Sequence, residues 1–181
     1  MDKEAIRKRM RQRNRSLSAA ERAACSVAIF REVERLEAFS EAHCVAGFCS
    51  LADEPDTQEA LLRWQQSGKR IVVPRVEGEE MQFYDFQPDR LVGGSFGIAE
   101  PDAEAPRCAR SEIDLMILPA VALTAAGARL GRGKGYYDRY LAHADFRAYT
   151  IGVGYPHQLL ETLPTEPHDQ LLKRVVIHSA E

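Results

Sequence analysis

The stretch that most restricts how this chain can fold begins at Asp114-Leu115-Met116-Ile117-Leu118-Pro119. An apolar run of this length, stopped by a proline, reads as a buried strand. Shortly after it comes GARLGRGKGYYDRYL, from Gly127 to Leu141. Gly131, Gly133 and Gly135 fall at alternate positions, and glycine lets a ligand approach the main chain, so these residues describe backbone N–H groups turned toward an anion. Arg129, Arg132 and Lys134 supply the countercharge. Tyr136-Tyr137-Asp138-Arg139-Tyr140-Leu141 carries no breaker and suits a helical first turn. A strand, a glycine loop and a helix in that order belong over the carboxyl end of a sheet, where open α/β folds bind ligands.

The spacing is neither of the two common phosphate-binding patterns. Gly127 stands six rather than five residues before Gly133, and Gly135 occupies the place of the Ser or Thr of a P-loop. The dinucleotide fingerprint needs GxGxxG, whereas the loop reads GxGxG and no acid follows at the expected distance. On spacing alone an anion site and a plain flexible surface loop both remain open.

The rest of the chain supplies the layers that such a loop needs. Ser18-Ala19-Ala20-Glu21 is a capping box, and Ala20, Ala23, Val27, Phe30, Val33 and Leu36 recur at helical spacing, which predicts a long helix packing that face on a sheet. Cys44–Cys49 reads as the first strand, Thr57 caps a helix through Gln66 with Gly68 as its stop, and Arg70–Pro74 is the next strand, a βαβ pattern. It sets Glu54 in the loop beyond the first strand, as a functional carboxylate or an ordinary acid at a helix N-terminus. Met81–Phe86 reads as a strand, Leu91–Pro101 as an irregular segment, and Ala148–Tyr155 and Lys173–His178 as two more strands. Glu100 is either an active-site acid or, as the favoured reading, a residue at the surface or in a structural hydrogen bond. Strands alternating with helices imply one three-layer α/β domain over residues 1–181 with a largely parallel sheet.

At 181 residues and 45% hydrophobic composition the chain can bury a sizeable core. A net charge of −3 argues against a general nucleic-acid or membrane binder. With no membrane-length apolar run and no apolar signal core, a soluble cytoplasmic protein is expected. Cys25, Cys44, Cys49 and Cys108 form no CxxC and read as reduced buried thiols, Cys44 and Cys49 on opposite faces of their strand. The five histidines have no metal-ligand spacing. Met1–Arg15 holds seven Lys/Arg against two acids, so the acidic excess lies in the remainder. Lys3, Arg7, Arg11 and Arg15 would form a cationic stripe on a helix, with Ile6, Met10 and Leu17 on another side; a solvated face is the default and a nucleic-acid arm the alternative.

RLGRGKGYYDRYL, preceded by ILPAVAL, closely resembles the glycine-rich motif of 5-formyltetrahydrofolate cyclo-ligases, also called 5,10-methenyltetrahydrofolate synthetases. Further matches follow in that family's order: Lys3 and Arg7, LADEPDT around Glu54, FGIAEP from Phe96 to Pro101, Gln158, and His168-Asp169. Ala120 departs from the glycine that often follows the strand-ending proline, and Pro55 interrupts the run after Glu54; both leave the chemical groups in place. The resemblance implies the Rossmann-like fold shared with CoA transferases and ribose-5-phosphate isomerases. It implies an ATP- and Mg²⁺-dependent ligase of one-carbon metabolism, a monomer acting on small molecules without nucleic acid or membrane. ATP would be bound by Lys3, Arg7 and the run Arg129, Leu130, Gly131, Arg132, Gly133, Lys134, Gly135, Tyr136 and Tyr137. The folate would be bound by Cys49, Glu54 and the same loop from Arg132 to Tyr136. Lys134, Arg132 and Tyr137 would be catalytic, and Asp138 and Asp169 would hold Mg²⁺. A phosphosugar- or CoA-using enzyme of the same fold, and an RNA-binding protein using the basic first helix, are the rival readings.

Overall fold

The computed structural model describes residues 1–178, and the apolar runs of the sequence become neighbours in a seven-stranded sheet. In chain order β1 (Cys44–Ala46), β2 (Arg70–Glu77) and β3 (Glu80–Asp85) come first. The pair β4 (Leu91–Gly93) and β5 (Ala99–Pro101) stands apart from the sheet, which resumes with β6 (Arg107–Cys108) and β7 (Leu115–Pro119). A second separate pair, β8 (Ala122–Leu123) and β9 (Arg129–Leu130), precedes β10 (Tyr149–Gly154) and β11 (Arg174–Ile177). The spatial order is β11-β10-β7-β1-β2-β3-β6. The first five of these run parallel, and only β3 is reversed, paired antiparallel to β2 and to β6. The expected three-layer, largely parallel α/β architecture is present.

The described residues hold five α-helices: α1 (Lys3–Arg15), α2 (Ala19–Glu34), α3 (Glu37–Glu41), α4 (Gln58–Gln66) and α5 (Tyr136–Leu141). Successive strand residues point to opposite faces, so the apolar run of β7 feeds two cores. Leu115 and Ile117 join Val45, Ile71, Ile151 and Val153 beneath Ile29, Phe30 and Val33 of α2, Phe39 of α3, and Leu61 and Trp64 of α4. Met116 and Leu118 join Ala46, Val72 and Phe83 beneath Tyr140 and Leu141 of α5. The strand predicted over Cys44–Cys49 ends at Ala46; Cys44 packs in this second core and Cys49, beyond the strand, against the first. Each fully buried side chain of this kind contributes about 1.5–3 kcal/mol. A smaller third cluster seats Ile6 and Met10 of α1 on Ala122 and Leu130. Among the described residues no helix is long and apolar enough to cross a membrane.

Four further expectations need correction. The buried face of α2 is Cys25, Ser26, Ile29, Phe30 and Val33, not the stripe through Ala20, Ala23 and Val27, which are exposed. Leu91–Pro101 contains the antiparallel β4–β5 pair, with Val92 opposite Glu100. The strand predicted to stop at Pro74 continues to Glu77, because beyond Val72 it pairs with β3 alone and a proline there interrupts no ladder on the β1 side. Thr57 precedes α4 without capping it; its hydroxyl donates to Phe48 O at 2.6 Å, and Asp56 accepts from Gln58 N instead. The Ser18–Glu21 capping box is present as expected.

The connections out of β1 and β7 decide where a ligand can sit. From β1 the chain passes through α4 to β2 on one side, whereas β7 lies on the other side of β1 and continues to β10 and β11. Loops leaving the two carboxyl ends therefore diverge and open a crevice between them.

Candidate functional site

A cleft of about 650 Å³ occupies that crevice, a size suited to small-molecule ligands. Its floor is Pro74, Pro119 and the segment Phe48-Cys49 that continues β1. Every residue that the sequence singled out lines it: Lys3 and Arg7 of α1, Cys49 and Glu54 after β1, the run from Arg129 to Asp138, and Asp169. Gln158, the remaining motif position, is buried away from the cleft; it accepts from Tyr155 N and donates to Ala120 O and Val121 O. It braces the chain after β7, including the Ala120 that replaces the common glycine.

The glycine loop joins β9 to α5. Gly133 and Gly135 take φ of +108° and +72°, left-handed values that a Cβ would make costly, while Gly131 does not. Gly131 contributes its carbonyl, which accepts from Arg7 Nε at 2.9 Å and so ties α1 to the loop. Arg129 is fixed by a bond from Nε to Pro119 O at 2.7 Å, with its guanidinium 4.9 Å from the centre of the Tyr137 ring. Burial pushes the Arg129 pKa down, against the opposing pull of Tyr137, Asp138 and Glu54. Burial likewise pushes the Tyr137 phenol above its ordinary range, with Arg129 opposing, so the hydroxyl stays a donor at neutral pH. Cys49 is raised to about 11 by burial and then by the charge of Glu100, which leaves it a small, unreactive thiol in the wall.

Two carboxylate groupings face these cations. Glu54, 8% exposed, accepts from Leu51 N at 2.8 Å through Oε1 and lies 3.5 Å from Arg132 through Oε2. Arg132 also reaches Asp53 at 3.0 Å. Burial raises the Glu54 pKa, the Leu51 N–H and Arg132 pull it back, and Asp53 adds to the rise. Across the cleft, Lys3 Nζ lies 3.1 Å from Glu166, and Glu166, His168 and Asp169 hold possible ligand atoms within 4.8 Å of one another. Asp169 Oδ2 accepts from Glu166 N at 2.8 Å, so this acid also shapes its turn. Asp138 stands in the first turn of α5, and neither neighbouring arginine pairs with it: Arg132 is held by the acids after β1, and Arg139 donates to Glu79 O. Its carboxylate lines the cleft and acts by charge on Arg129.

Sequence reasoning missed several lining residues. Arg11, four residues beyond Arg7 and on the same helical face, lines the rim although it was assigned to the surface. Glu100 lines the cleft too, buried, with Oε2 accepting from Val76 N at 2.8 Å; the expected structural hydrogen bond is there and the surface position is not. Phe96, at the tip of the β4–β5 hairpin with φ +60°, lies 5.5 Å from Lys134 Nζ. The stripe spacing signalled Arg11, and the FGIAEP motif contained Phe96 and Glu100, but placing them at the cleft requires the hairpin that folds over β2.

The sequence pattern of the 5-formyltetrahydrofolate cyclo-ligase family matches residues 1–178. A 5-formyltetrahydrofolate cyclo-ligase of Mycolicibacterium smegmatis is 33% identical over 139 residues, covering 73% of this chain and 72% of that protein. The Mus musculus 5-formyltetrahydrofolate cyclo-ligase is 28% identical over 195 residues, covering 96% and 92%. Among solved structures, the 5,10-methenyltetrahydrofolate synthetase of Aquifex aeolicus superposes with a TM-score of 0.85 at 33% identity, over 98% of this chain and 90% of that one.

Proposed function

The chain belongs to the 5-formyltetrahydrofolate cyclo-ligase family, and from that membership we propose how its cleft closes 5-formyltetrahydrofolate to 5,10-methenyltetrahydrofolate. The observation that carries the proposal is the meeting, in one cleft, of a cationic glycine loop and a buried carboxylate on the opposite wall. We take residues 1–181 as one cyclo-ligase domain acting as a cytoplasmic monomer on small molecules.

An N5-formyl group is amide-like and its oxygen cannot leave unaided. Transfer of the γ-phosphoryl group of ATP to that oxygen makes it a leaving group; N10 then attacks the formyl carbon, and ADP and phosphate are released. The protein's work is positioning and charge stabilisation. Lys3, Arg7 and Arg129 hold the triphosphate with the N–H groups of the glycine loop, and Lys134 and Arg132 offset charge on the transferring group. Tyr136 and Tyr137 flank the folate, Tyr137 as a neutral donor toward the formyl oxygen. Glu54 accepts N–H bonds from the pterin edge, beside Cys49. Asp138 and Asp169 offer the hard oxygens that Mg²⁺ prefers alongside phosphate, and Mg²⁺ bound there would neutralise phosphate charge. Mixing the protein with Mg-ATP and 5-formyltetrahydrofolate and following methenyl absorbance tests the function; no ATP-dependent absorbance would end it.

Glu54→Gln keeps the shape and removes the charged acceptor, so folate affinity should weaken by about 1.5–3 kcal/mol with ATP affinity little changed. Because burial raises the Glu54 pKa, wild-type folate affinity should also fall, on acidification, at a higher pH than an ordinary carboxylate would dictate, and the Gln variant should lack that step. Equal loss of both ligands in direct titrations would make Glu54 structural.

Asp138→Asn and Asp169→Asn should each raise the Mg²⁺ concentration for half-maximal activity by about tenfold. The double change should add less than the product of the two, because both act on one ion. Titrating Mg²⁺ at fixed total ATP decides it: an unchanged midpoint removes that residue from the metal, and strictly multiplicative losses separate the two roles.

A further inference from the structure

Besides Arg132 on its cleft side, the loop that carries Glu54 is held by two polar residues of α2, Arg22 and Ser26. Arg22 of α2 donates from Nε to Glu54 O at 2.8 Å and from Nη2 to Leu51 O at 3.1 Å. These two carbonyls are the ends of one tight turn, which Glu54 N closes onto Leu51 O at 3.1 Å and the Glu54 carboxylate closes again from its side chain onto Leu51 N at 2.8 Å. One turn of helix further on, buried Ser26 donates from Oγ to Arg22 O at 2.7 Å and accepts from Asp56 N at 2.8 Å. Asp56 lies 3.9 Å from Arg22 Nη1, too exposed and distant to contribute much by charge.

We propose that Arg22, seconded by Ser26, is a positioning residue for the folate: its planar fork fixes the Leu51–Glu54 turn and thereby aims the Glu54 carboxylate into the cleft. The inference rests on the reading of Glu54 as a folate acceptor. Its chemistry is that of a guanidinium, whose donors are held in one plane at a fixed spacing that bridges the two carbonyls, where an ammonium on a flexible stem has no such fixed geometry. The Glu54 carboxylate is hydrogen-bonded to Leu51 N, a contact that moves with the turn, and its only ion pair among the described residues is with Arg132 at 3.5 Å. Without the fork the turn keeps its internal bonds and its Arg132 contacts but loses the tie that fixes both its carbonyls to α2. Arg22 touches neither ATP nor its loop, so its effect should fall on one substrate.

The test compares wild type, Arg22→Met, Arg22→Lys and Ser26→Ala by steady-state kinetics, varying 5-formyltetrahydrofolate and Mg-ATP in turn. Arg22→Met should raise the KM for the folate about tenfold while the KM for ATP stays within twofold, Arg22→Lys should recover part of the loss, and Ser26→Ala should raise the folate KM about threefold. In a Glu54→Gln background, Arg22→Met should change the folate KM by less than twofold, because the group it positions has already been disabled. Thermal unfolding of each variant identifies one that has not folded; should Arg22→Met be such a variant, Arg22→Lys and Ser26→Ala carry the same comparison. An unchanged folate KM, KM values for both substrates rising together, or undiminished losses in the Glu54→Gln background would overturn the proposal. Absence of any turnover in the wild type would instead overturn the function on which it rests.

Discussion

Lys134→Ala should lower turnover about 30- to 1,000-fold and leave folate affinity within about threefold, the equivalent of about 2–4 kcal/mol of stabilisation felt only in the transition state. Of the cations in the glycine loop, Arg129 is fixed on Pro119 O and Arg132 is engaged by Asp53 and Glu54. Lys134 has no carboxylate partner among the described residues, and its one ring contact is with Phe96 at 5.5 Å. It is exposed, so its removal should shift stability by no more than about 0.5 kcal/mol. A charge that has no carboxylate partner among the described residues and is flanked by glycines with left-handed backbone is suited to charge that develops on a transferring phosphoryl group. Ground-state folate binding, assigned to Glu54 and the two tyrosines, does not require the Lys134 charge, so kcat should fall without a matching rise in the folate KM. Turnover near that of wild type would remove Lys134 from the phosphoryl site.

Gly127→Ala should produce the largest loss of stability of any single methyl addition along this loop, about 2–5 kcal/mol. Gly127 takes φ +98°, and a Cβ there would lie 2.3 Å from the carbonyl oxygen of Leu172, well inside any real contact. That oxygen belongs to a backbone that cannot yield alone, since Leu172 N donates to Gly127 O at 2.8 Å and the Leu172 side chain is packed in the second core. The left-handed conformation costs a non-glycine residue about 1–2 kcal/mol and the overlap about 1–3 more. At about 2–4 °C per kcal/mol for a chain of this size, thermal unfolding should begin roughly 5–20 °C lower. Gly68→Ala is the control, because Gly68 has φ +100° with nothing within 4 Å, so it carries the backbone strain without the overlap. Equal melting shifts in the two variants would show that the approach of Leu172 is not what demands a glycine at 127.

What could be read from the sequence was whatever consecutive residues decide among themselves. The apolar run of β7, the Ser18–Glu21 box, the β1–α4–β2 unit and the helix after Gly135 all rest on periodicity, caps and breakers within a few residues of one another. The composition of the glycine loop and the order of the motifs were legible for the same reason, and with them the family. The errors share an opposite cause. The face that α2 buries could not be found from its apolar stripe, because that helix turns Arg22 and Ser26 toward a loop whose carbonyls and N–H groups need partners, and hydrophobic periodicity does not register a polar requirement. Glu100 was left without a clear place because the pairing of β4 with β5, and the bond from Val76 N, depend on a hairpin folding back over β2. Lys3 and Glu166 are 163 positions apart and meet only because α1 and the segment before β11 both pass the mouth of the cleft. The sequence by itself determined which chemical groups the protein has and which strands and helices carry them. Tertiary structure decided which of those groups face one another: strand order brings the carboxyl ends of β1 and β7 side by side, the hairpin and α1 close over them, and at such separations no local propensity can encode the partner of a charge.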